Sequence, residues 1–321
     1  MLEKGESSLR VVRIDNIENM HSMEIPSLVM ALGYFDGVHL GHQKVIGEAK
    51  KIAGELGLKT GVMTFDPHPS LVLSKEKKQI GLITSLETKI AEMEKLGVDY
   101  LFIVHFTKEF AGLHPQSFVD QYLVDLNVKH VVCGFDYTYG MKAAGTSETL
   151  ALHGRERFGT TIISKETFEG EKVSSTLIRS YINAGDMEKV PKLLGRFYTN
   201  HGKVIHGDKR GRTIGFPTAN VKTGDEEIIP PQGVYAVKVN VGEKWYNGVC
   251  NVGTKPTFHP GKTVQSVEAH IFEFNQDIYD QIITIEWHMR IRSEKKFNGI
   301  QELVEQIERD KQTAIAYFAN L

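Results

Sequence analysis

The segment that most restricts the fold lies near the start of the chain, where the apolar run Leu28–Leu32 leads into a glycine-bearing loop. The loop, residues 33–42, reads Gly-Tyr-Phe-Asp-Gly-Val-His-Leu-Gly-His. Beyond it, apolar residues recur at positions 45, 46, 49, 52, 53 and 56, which is the spacing of an amphipathic helix. The pattern predicts a strand, a loop and a helix, with His39 and His42 at the start of the helix.

The two histidines and Gly41 give this loop the chemistry of a phosphate site. The first turn of a helix offers unpaired N–H groups and a partial positive charge, both of which favour a bound phosphate. Gly41 lets the backbone approach a ligand closely, and imidazoles can face developing negative charge. A chance pair of histidines, or half of a metal site, is the alternative reading of this short motif.

The rest of the first half alternates between strands and helices. We predict strands at residues 60–65, 100–106, 128–133 and 161–164, and helices at 84–96, 115–126 and 147–158. A capping box, Thr84-Ser-Leu-Glu87, opens the first of these helices, and Gly97 ends it. This α/β alternation implies a parallel sheet covered on both faces, with ligands beyond the carboxyl ends of its strands.

The second half is dominated by strands. Runs at residues 202–205, 234–241, 245–252, 266–274 and 278–292, with a hairpin turn at Gly242-Glu243, precede a closing amphipathic helix. We expect a small antiparallel β-barrel with a terminal helix packed on it. The change from alternating strands and helices to mainly strands places the domain boundary at about residue 186, giving domains 1–186 and 187–321.

Composition narrows the class of protein. The chain has 321 residues, of which 41% are hydrophobic and 24% charged, with a formal net charge of −2. These values suit a soluble globular protein and give no support to a nucleic-acid partner. Two isolated cysteines form neither a disulfide framework nor a zinc spacing, which favours a reducing cytoplasm. With no apolar signal core and no membrane-length run, we expect a cytoplasmic protein that acts on small molecules, associates weakly with itself and has no membrane partner.

Two further segments of the first half carry candidate ligand-binding groups. Ser175 and Thr176 stand at an apparent helix start with Arg179 one turn later, so hydroxyls, amides and a guanidinium could grip a triphosphate. An ordinary N-cap with a solvated arginine is the alternative. The proline-rigidified loop around Asp66 and His68 could hold the acceptor, although a plain turn has the same composition.

A glycine-rich, basic segment at residues 207–220 marks the second half. It is not a P-loop, because only three residues separate Gly207 from Gly211 and Arg212 stands where lysine is required. Its glycines and basic residues can still wrap phosphates, and Thr218 and Asn220 offer oxygens to Mg²⁺. A long solvated hairpin is the alternative.

The loop at 33–42 together with residues 173–179 resembles the nucleotidyltransferases of the HxGH class, in which an acceptor phosphate attacks the α-phosphate of ATP and pyrophosphate leaves. The whole chain resembles the prokaryotic bifunctional riboflavin kinase/FAD synthetase family. The resemblance rests on these two segments and on Thr-Phe-Asp-Pro-His-Pro (64–69), Gly-Phe-Asp-Tyr-Thr-Tyr-Gly (134–140), Gly-Phe-Pro-Thr-Ala-Asn (215–220), Asn-Val-Gly-Thr-Lys-Pro-Thr (251–257) and Val-Glu-Ala-His (267–270). It implies a Rossmann-like front domain that adenylylates FMN to FAD and a barrel that phosphorylates riboflavin to FMN, with ATP as co-substrate and Mg²⁺ as cofactor.

The resemblance also implies residue roles. The catalytic residues would be His39, His42 and Glu268, and Mg²⁺ would be held by Thr218 and Asn220. The residues that bind ATP or its phosphates would be Gly33, Phe35, Asp36, Gly41, Ser175, Thr176, Arg179, Gly207, Lys209, Gly211 and Gly215. The residues that bind the flavin would be Asp66, His68, Asp136, Tyr139 and Arg290, with Arg292 nearby.

Glu268 has an alternative role, and Asp136 departs from the common family pattern. Strand alternation places Glu268 on the face opposite Val267 and Ala269, where it could take the proton of the riboflavin hydroxyl or be a solvent-facing carboxylate. At Asp136 many family members have asparagine, so this chain adds a negative charge near the phosphates.

Two other functions compete with the bifunctional enzyme. One is a single-activity FMN adenylyltransferase with a flavin-binding, non-catalytic barrel. The other is a non-catalytic flavin or nucleotide sensor that acts on nucleic acid. The presence of both histidines with Thr218, Asn220 and Glu268 argues against a degenerate site, and the net charge gives no support to a nucleic-acid sensor.

Overall fold

In the computed structural model of the chain, the apolar run at residues 28–32 forms a fully buried strand. The structure describes residues 9–16, 23–74, 81–207, 211, 214–224, 226–256 and 263–321. The chain divides into two compact units, Met1–Ser175 and Thr176–Leu321.

The front unit is built on a six-stranded parallel sheet with the strand order β1-β4-β3-β2-β5-β8. Its strands are β1 (Arg10–Ile14), β2 (Leu28–Leu32), β3 (Lys59–Asp66), β4 (Tyr100–His105), β5 (Val128–Gly134) and β8 (Gly159–Ile163). The shorter strands pair outside this sheet as β6 (Thr138–Tyr139) with β7 (Gly145–Thr146), and β9 (Thr167–Phe168) with β10 (Glu171–Lys172). The strand order reverses at β2, because β3 lies on one side of it and β5 on the other. Ligands of open parallel sheets bind at such a reversal, and the loop at 33–42 begins there.

Helices cover both faces of this sheet. They are α1 (Leu40–Leu56), α2 (Pro69–Leu73), α3 (Leu86–Lys95), α4 (Lys108–Ala111), α5 (Pro115–Val119) and α6 (Leu150–Gly154), with a π-helical turn at Asp120–Val124 and 3₁₀ turns at Met141–Ala143 and Ser147–Thr149. The residues of β2 alternate between two apolar cores, with Met30 in one and Ala31 in the other. Cys133 of β5 is fully buried. The predicted parallel sheet with two covered faces is confirmed.

The second unit is a closed antiparallel barrel with the strand order β11-β12-β15-β14-β13-β16. Its strands are β11 (Tyr198–Ile205), β12 (Ala219–Thr223), β13 (Gly233–Val241), β14 (Lys244–Pro256), β15 (Thr263–Ile271) and β16 (Ile282–Arg292). Its helices are α7 (Ser175–Ala184), which begins at the last residue of the front unit, α8 (Val190–Leu194) and α9 (Ile300–Ala319). The predicted barrel with a terminal helix is confirmed.

The terminal helix is held on the outside of the barrel by apolar packing and by one ion pair. Ala314 of α9 packs with Val234 and Val249. Arg292 donates from Nε and Nη2 to the Asp310 carboxylate at 2.8–3.0 Å, and Asp310 is 3% exposed. A two-pronged contact of this kind fixes the orientation of both partners.

Local predictions met mixed outcomes. The hairpin turn at Gly242-Glu243 is confirmed, since Val241 pairs with Lys244. The capping box is wrong by one residue: Ser85 caps α3 by accepting from the Thr88 amide, while the Thr84 hydroxyl accepts from the Gly37 amide.

Other elements also differ from the prediction: β12 had not been predicted, and the strand predicted at 278–292 begins at Ile282. The helix predicted at 147–158 ends at Gly154, because Arg155 adopts the left-handed conformation (φ 48°). Strand β1 had not been predicted at all; it pairs at the edge of the sheet with β4.

Candidate active sites

His39 is the N-cap of α1. Its Nδ1 accepts a hydrogen bond from the backbone N–H of His42 at 3.2 Å, and its side chain is buried. An imidazole nitrogen that accepts carries no proton, so the ring proton of the neutral form lies on Nε2. The cap therefore fixes both the position and the tautomer of this histidine.

The ring of His42 stacks on that of His39, with the centroids 3.5 Å apart and the planes 16° apart. The ring of Phe35 meets that of His42 edge-on, with the centroids 5.2 Å apart. Burial, followed by the charges of His39, Lys89 and Lys172, holds the pKa of His42 well below its ordinary value of 6.5, so this ring is neutral. Its Nδ1 is buried and has no hydrogen-bond partner among the described residues. An orphaned buried polar atom at a helix start is suited to meeting a ligand oxygen.

Two glycines leave room for these rings. A Cβ on Gly41 would lie 3.2 Å from Cε1 of His39, and one on Gly33 would lie 2.9 Å from the ring of Phe35. Between them, Phe35 and Val38 adopt left-handed backbone conformations with φ of 57° and 43°. A β-branched residue rarely adopts this conformation, and such strain concentrates at functional loops.

Asp36 anchors this loop. Its carboxylate, 2% exposed, accepts from the backbone N–H groups of Ile83 and Thr84 at 3.0 and 3.1 Å. Its carbonyl oxygen accepts from the Ser175 hydroxyl at 2.9 Å, so the two sequence segments predicted to form one site are in contact. Direct contact of Asp36 with a phosphate stays a prediction, as do the roles of Thr176 and Arg179, which belong to the second unit.

Lys89 is a residue of this site that the sequence analysis missed. It is 2% exposed, and its Nζ donates to the Tyr34 carbonyl at 2.8 Å and to Oγ1 of Thr64 at 3.1 Å. Burial lowers its pKa to about 8, against the attraction of Asp36 and Asp66. The available signal was its position on the buried stripe of α3, between Leu86 and Met93 at helical spacing, where an apolar residue is the rule.

The loop after β3 lies beside the same segment. His68 caps α2 by accepting from the Ser70 amide at 3.0 Å, and its ring meets the ring of Tyr34 edge-on at 4.2 Å. The structure thus brings the loop that carries Asp66 and His68 to the loop at 33–42, as their positions at strand ends predicted. Their contact with flavin stays a prediction.

The loop after β5 is joined to the β9–β10 hairpin by an ion pair between Asp136 and Lys172. Lys172 also lies over the ring of Phe135, 4.7 Å from its centroid. The negative charge at position 136 is therefore paired with a lysine.

Tyr139 lies in the core of the front unit. It is 6% exposed, its hydroxyl is hydrogen-bonded to Nδ1 of His153 at 2.6 Å, and its ring packs on Phe118 at 5.2 Å. Little of the ring surface remains for stacking, so its predicted contact with flavin can involve only the exposed edge.

In the barrel, Glu268 stands between two asparagines. Asn220 of β12 and Asn251 of β14 pair with it in register on either side. Val267 and Ala269 are buried on the inner face, so the predicted alternation of β15 is confirmed. The inner residue Cys250 is buried beneath this row, and burial together with the charge of Glu268 raises the pKa of its thiol.

Two described glycines that precede β12 lie close to residues of this row or to Thr218 beside it. A Cβ on Gly207 would overlap the amide of Asn220, and one on Gly211 would lie 3.5 Å from Oγ1 of Thr218. Gly215 has a φ of 87°, which favours glycine. Lys209, predicted to bind phosphate, lies outside the described residues.

The two arginines of β16 differ in their surroundings. Arg290 donates to the Gln232 carbonyl at 2.6 Å, and its buried Nε finds no hydrogen-bond partner within the part of the chain that the structure describes. Its role toward flavin stays a prediction. Arg292 fixes α9 through Asp310, and its expected place near the flavin stays a prediction.

Comparisons with known proteins match the two halves of the chain to two different family models. The family model "FAD synthetase" matches residues 21–177, and "Riboflavin kinase" matches residues 194–318. A "Bifunctional riboflavin kinase/FMN adenylyltransferase" of Bacillus subtilis is 53% identical over 98% of this chain and 99% of its own length. The Escherichia coli (strain K12) protein of the same description is 36% identical over 95% of this chain and 97% of its own.

A solved structure is also similar over nearly the whole chain. It is described as a macrolide-efflux protein from Streptococcus pneumoniae, is 34% identical, and superposes with a TM-score of 0.88 over 95% of this chain and 98% of its own. Among the described residues of the present chain, no helix is both long enough and apolar enough to cross a membrane.

Proposed function

The chain belongs to the bifunctional riboflavin kinase/FMN adenylyltransferase family, and on that premise we propose how its residues carry out the two reactions. The barrel phosphorylates riboflavin to FMN, and the front unit adenylylates FMN to FAD. ATP, riboflavin and FMN are substrates, and FAD is the final product.

In the front unit, a phosphate oxygen of FMN attacks the α-phosphorus of ATP. A new P–O bond forms there as the bond to the bridging oxygen breaks, and pyrophosphate leaves with the electron pair. The acceptor is already an oxyanion, so the protein need not supply a covalent nucleophile. Its work is to align two anions and to stabilise the added charge of the transition state.

The single observation that carries this proposal is the buried, unpartnered Nδ1 of the neutral His42 at the start of α1. A neutral imidazole with its proton on that atom donates to a phosphate oxygen. His39, whose Nδ1 is taken by the cap, presents Nε2–H as its donor. The helix N-terminus adds the partial positive charge of its amides.

The remaining front-unit residues position the substrates. We assign the triphosphate to the loop of Gly33, Phe35, Asp36 and Gly41 with Ser175, Thr176 and Arg179, and the flavin to Asp66, His68, Asp136 and the edge of Tyr139. The contact of Ser175 with Asp36 supports the first assignment, and the contact of His68 with Tyr34 supports the second.

In the barrel, the terminal hydroxyl of riboflavin attacks the γ-phosphorus of ATP, and ADP leaves. Glu268 takes the hydroxyl proton as the new P–O bond forms. Its register position beside Asn220 supports this role, because the base and the phosphate-holding groups must lie within a few ångströms of one another. Gly207, Lys209, Gly211 and Gly215 would enclose the phosphates, and Arg290 would border the flavin.

The donor set in the barrel suits Mg²⁺. Thr218 and Asn220 offer hard oxygen ligands beside a carboxylate, and Mg²⁺ in phosphoryl transfer takes few protein ligands and shares the phosphate oxygens. When bound, the ion supplies positive charge to the phosphates. A cytoplasmic location, the absence of a nucleic-acid partner and weak self-association remain proposals from composition.

One experiment tests both reactions. The purified chain is incubated with riboflavin, ATP and Mg²⁺, and the flavins are separated by chromatography. We expect FMN to form and then FAD, with both absent when the metal is chelated. A preparation that converts supplied FMN to FAD but never makes FMN would establish the single-activity alternative.

A further inference from the structure

Lys89 is a buried cation, and the two hydrogen-bond acceptors that it has among the described residues are both neutral. Its Nζ donates to the carbonyl oxygen of Tyr34 and to Oγ1 of Thr64, and it lies 4.0 Å from the centroid of the Tyr34 ring. Thr64 itself donates to the same carbonyl at 2.7 Å. The lysine therefore joins helix α3, the end of β3 and the first residues of the loop at 33–42.

The carboxylates near Lys89 do not neutralise it by direct contact. Asp36 and Asp66 favour its charged form through space, but neither is among its hydrogen-bond partners. The Asp36 carboxylate is instead held by the amides of Ile83 and Thr84. A buried ammonium without a paired anion destabilises a fold, so packing alone does not account for a lysine here.

The positive charge of Lys89 can stabilise the reaction in which the front unit joins two anions. The phosphate of FMN and the triphosphate of ATP must come into contact, and negative charge grows on the transferring group. A fixed cation in a water-poor site opposes that repulsion and needs no reorganisation during the reaction. The charge of Lys89 already acts on His42, where it helps to keep the ring neutral.

We infer that Lys89 is a positioning residue for adenylyl transfer, one that holds the Tyr34 carbonyl and lends the loop at 33–42 a buried positive charge for its phosphates. The inference rests on the proposed assignment of that reaction to His39 and His42. It predicts that removal of the charge impairs function without impairing the fold, whereas a lysine with a structural role would affect both together.

The test compares Lys89→Met, which keeps the length of the side chain and removes the charge, with Lys50→Met. Lys50 also donates to a carbonyl, that of Leu96 at 2.7 Å, but it is exposed on α1. For each variant, FAD formation from FMN, FMN formation from riboflavin and the thermal midpoint are measured on one preparation. We expect Lys89→Met to lose on the order of 100-fold in FAD formation, as for removal of one preorganised charge-stabilising group, with FMN formation and the midpoint undiminished.

The pH dependence of kcat/KM gives a second readout, because it reports groups of the free enzyme. The charged or titratable groups acting on Lys89 and on its neighbour His42 are Asp36, Asp66, His39 and Lys172. In the wild type, FAD formation should decline as the pH rises through about 8, where Lys89 loses its proton. In Lys89→Met this decline should disappear, which loss of packing alone would not produce.

Each outcome decides the inference. Full FAD formation in Lys89→Met would overturn it, and so would a loss of activity accompanied by a lower midpoint. A His42→Ala variant is measured in parallel. If His42→Ala retained activity, the proposed function itself would fail; if His42→Ala lost activity while Lys89→Met did not, only the role of Lys89 would fail.

Discussion

Asn220 and Glu268 lie directly opposite each other on neighbouring strands of the barrel, in register across β12 and β15. Residues paired in this way have Cβ atoms about 4.5–5.5 Å apart on one face of a sheet. The residue proposed to hold Mg²⁺ and the residue proposed to take the proton are therefore fixed neighbours, set by strand register rather than by a loop.

We predict that Glu268→Gln stops riboflavin phosphorylation while leaving adenylylation of supplied FMN near normal. The amide keeps the size of the side chain but cannot accept the hydroxyl proton. Loss of a general base typically costs about 100- to 10,000-fold in rate. The two activities are measured on the same folded preparation. Equal losses in both would indicate a structural residue or coupled sites, and no loss in either would leave Glu268 as a solvent-facing carboxylate.

Asn251 stands on the other side of Glu268, and we predict that Asn251→Asp shifts the acidic limb of the riboflavin kinase pH profile to higher pH. A second carboxylate beside Glu268 favours the protonated form of the pair. The matched control is Asn247→Asp, the same change on the same strand face four residues away, about 13 Å along the strand. A profile that moved equally in both variants would point to a general effect of charge on the barrel.

Replacement of either stacked histidine should abolish most FAD formation from FMN and spare FMN formation from riboflavin. His42→Ala removes the buried Nδ1, and loss of one such donor typically costs on the order of 100-fold or more. His39→Ala also removes the cap of α1, so its thermal midpoint should fall by more than that of His42→Ala. Normal FAD synthesis in both variants would remove the assignment of the site.

The pKa of Lys89 makes a prediction about stability. It is lowered from 10.5 to about 8 in the folded chain, so the unfolded chain binds more protons between those two values. The free energy of unfolding should therefore increase as the pH rises from 8 to 10.5. Below pH 8 the buried lysine is charged and destabilises the fold to its full extent. Thermal midpoints of Lys89→Met should exceed those of the wild type most clearly below pH 8, with the difference shrinking above it; a constant offset would contradict this.

A cut near Gly185 should yield a C-terminal fragment, residues 187–321, that folds and makes FMN from riboflavin. The structure adds that helix α7 groups with the barrel unit. Gly185, with a φ of 77°, lies close enough to Arg290 that a Cβ would come within 2.9 Å of its side chain. A fragment that begins at Thr176 should therefore unfold at a higher temperature than one that begins at residue 187. A folded fragment without kinase activity would mean that the barrel depends on residues of the front unit.

Much of this architecture could be predicted from the sequence, because it follows from periodicity. The apolar run Leu28–Leu32 and the spacing after residue 42 determined the strand, the loop and α1. The alternation of Val267, Glu268 and Ala269 placed the carboxylate on the outer face. In each case the signal lies within a few residues of the feature.

The features that were missed depend on contacts between residues distant in sequence. Thr84 and Ser85 can both cap a helix, but Thr84 is engaged by Gly37 and Asp36, 47 and 48 residues away in the sequence. Lys89 lies on the apolar stripe of α3, but the Tyr34 carbonyl that it binds is 55 residues away in the sequence. Arg292 looks like surface charge until α9 brings Asp310 to it. Periodicity carries no information about such pairings.

The two cysteines, one in each unit, are both buried. Cys133 is buried in β5 with its pKa raised to about 12, and Cys250 is buried under Glu268. The thiolate is the reactive form of cysteine. Both sulfurs are buried, and their raised pKa values keep them protonated. An enzyme that handles flavins, which generate peroxide when reduced and exposed to oxygen, thus keeps its thiols out of reach of oxidants for as long as it stays folded. Each unit also carries a single internal reporter of its own opening, since a sulfur becomes alkylatable only when the strands around it separate.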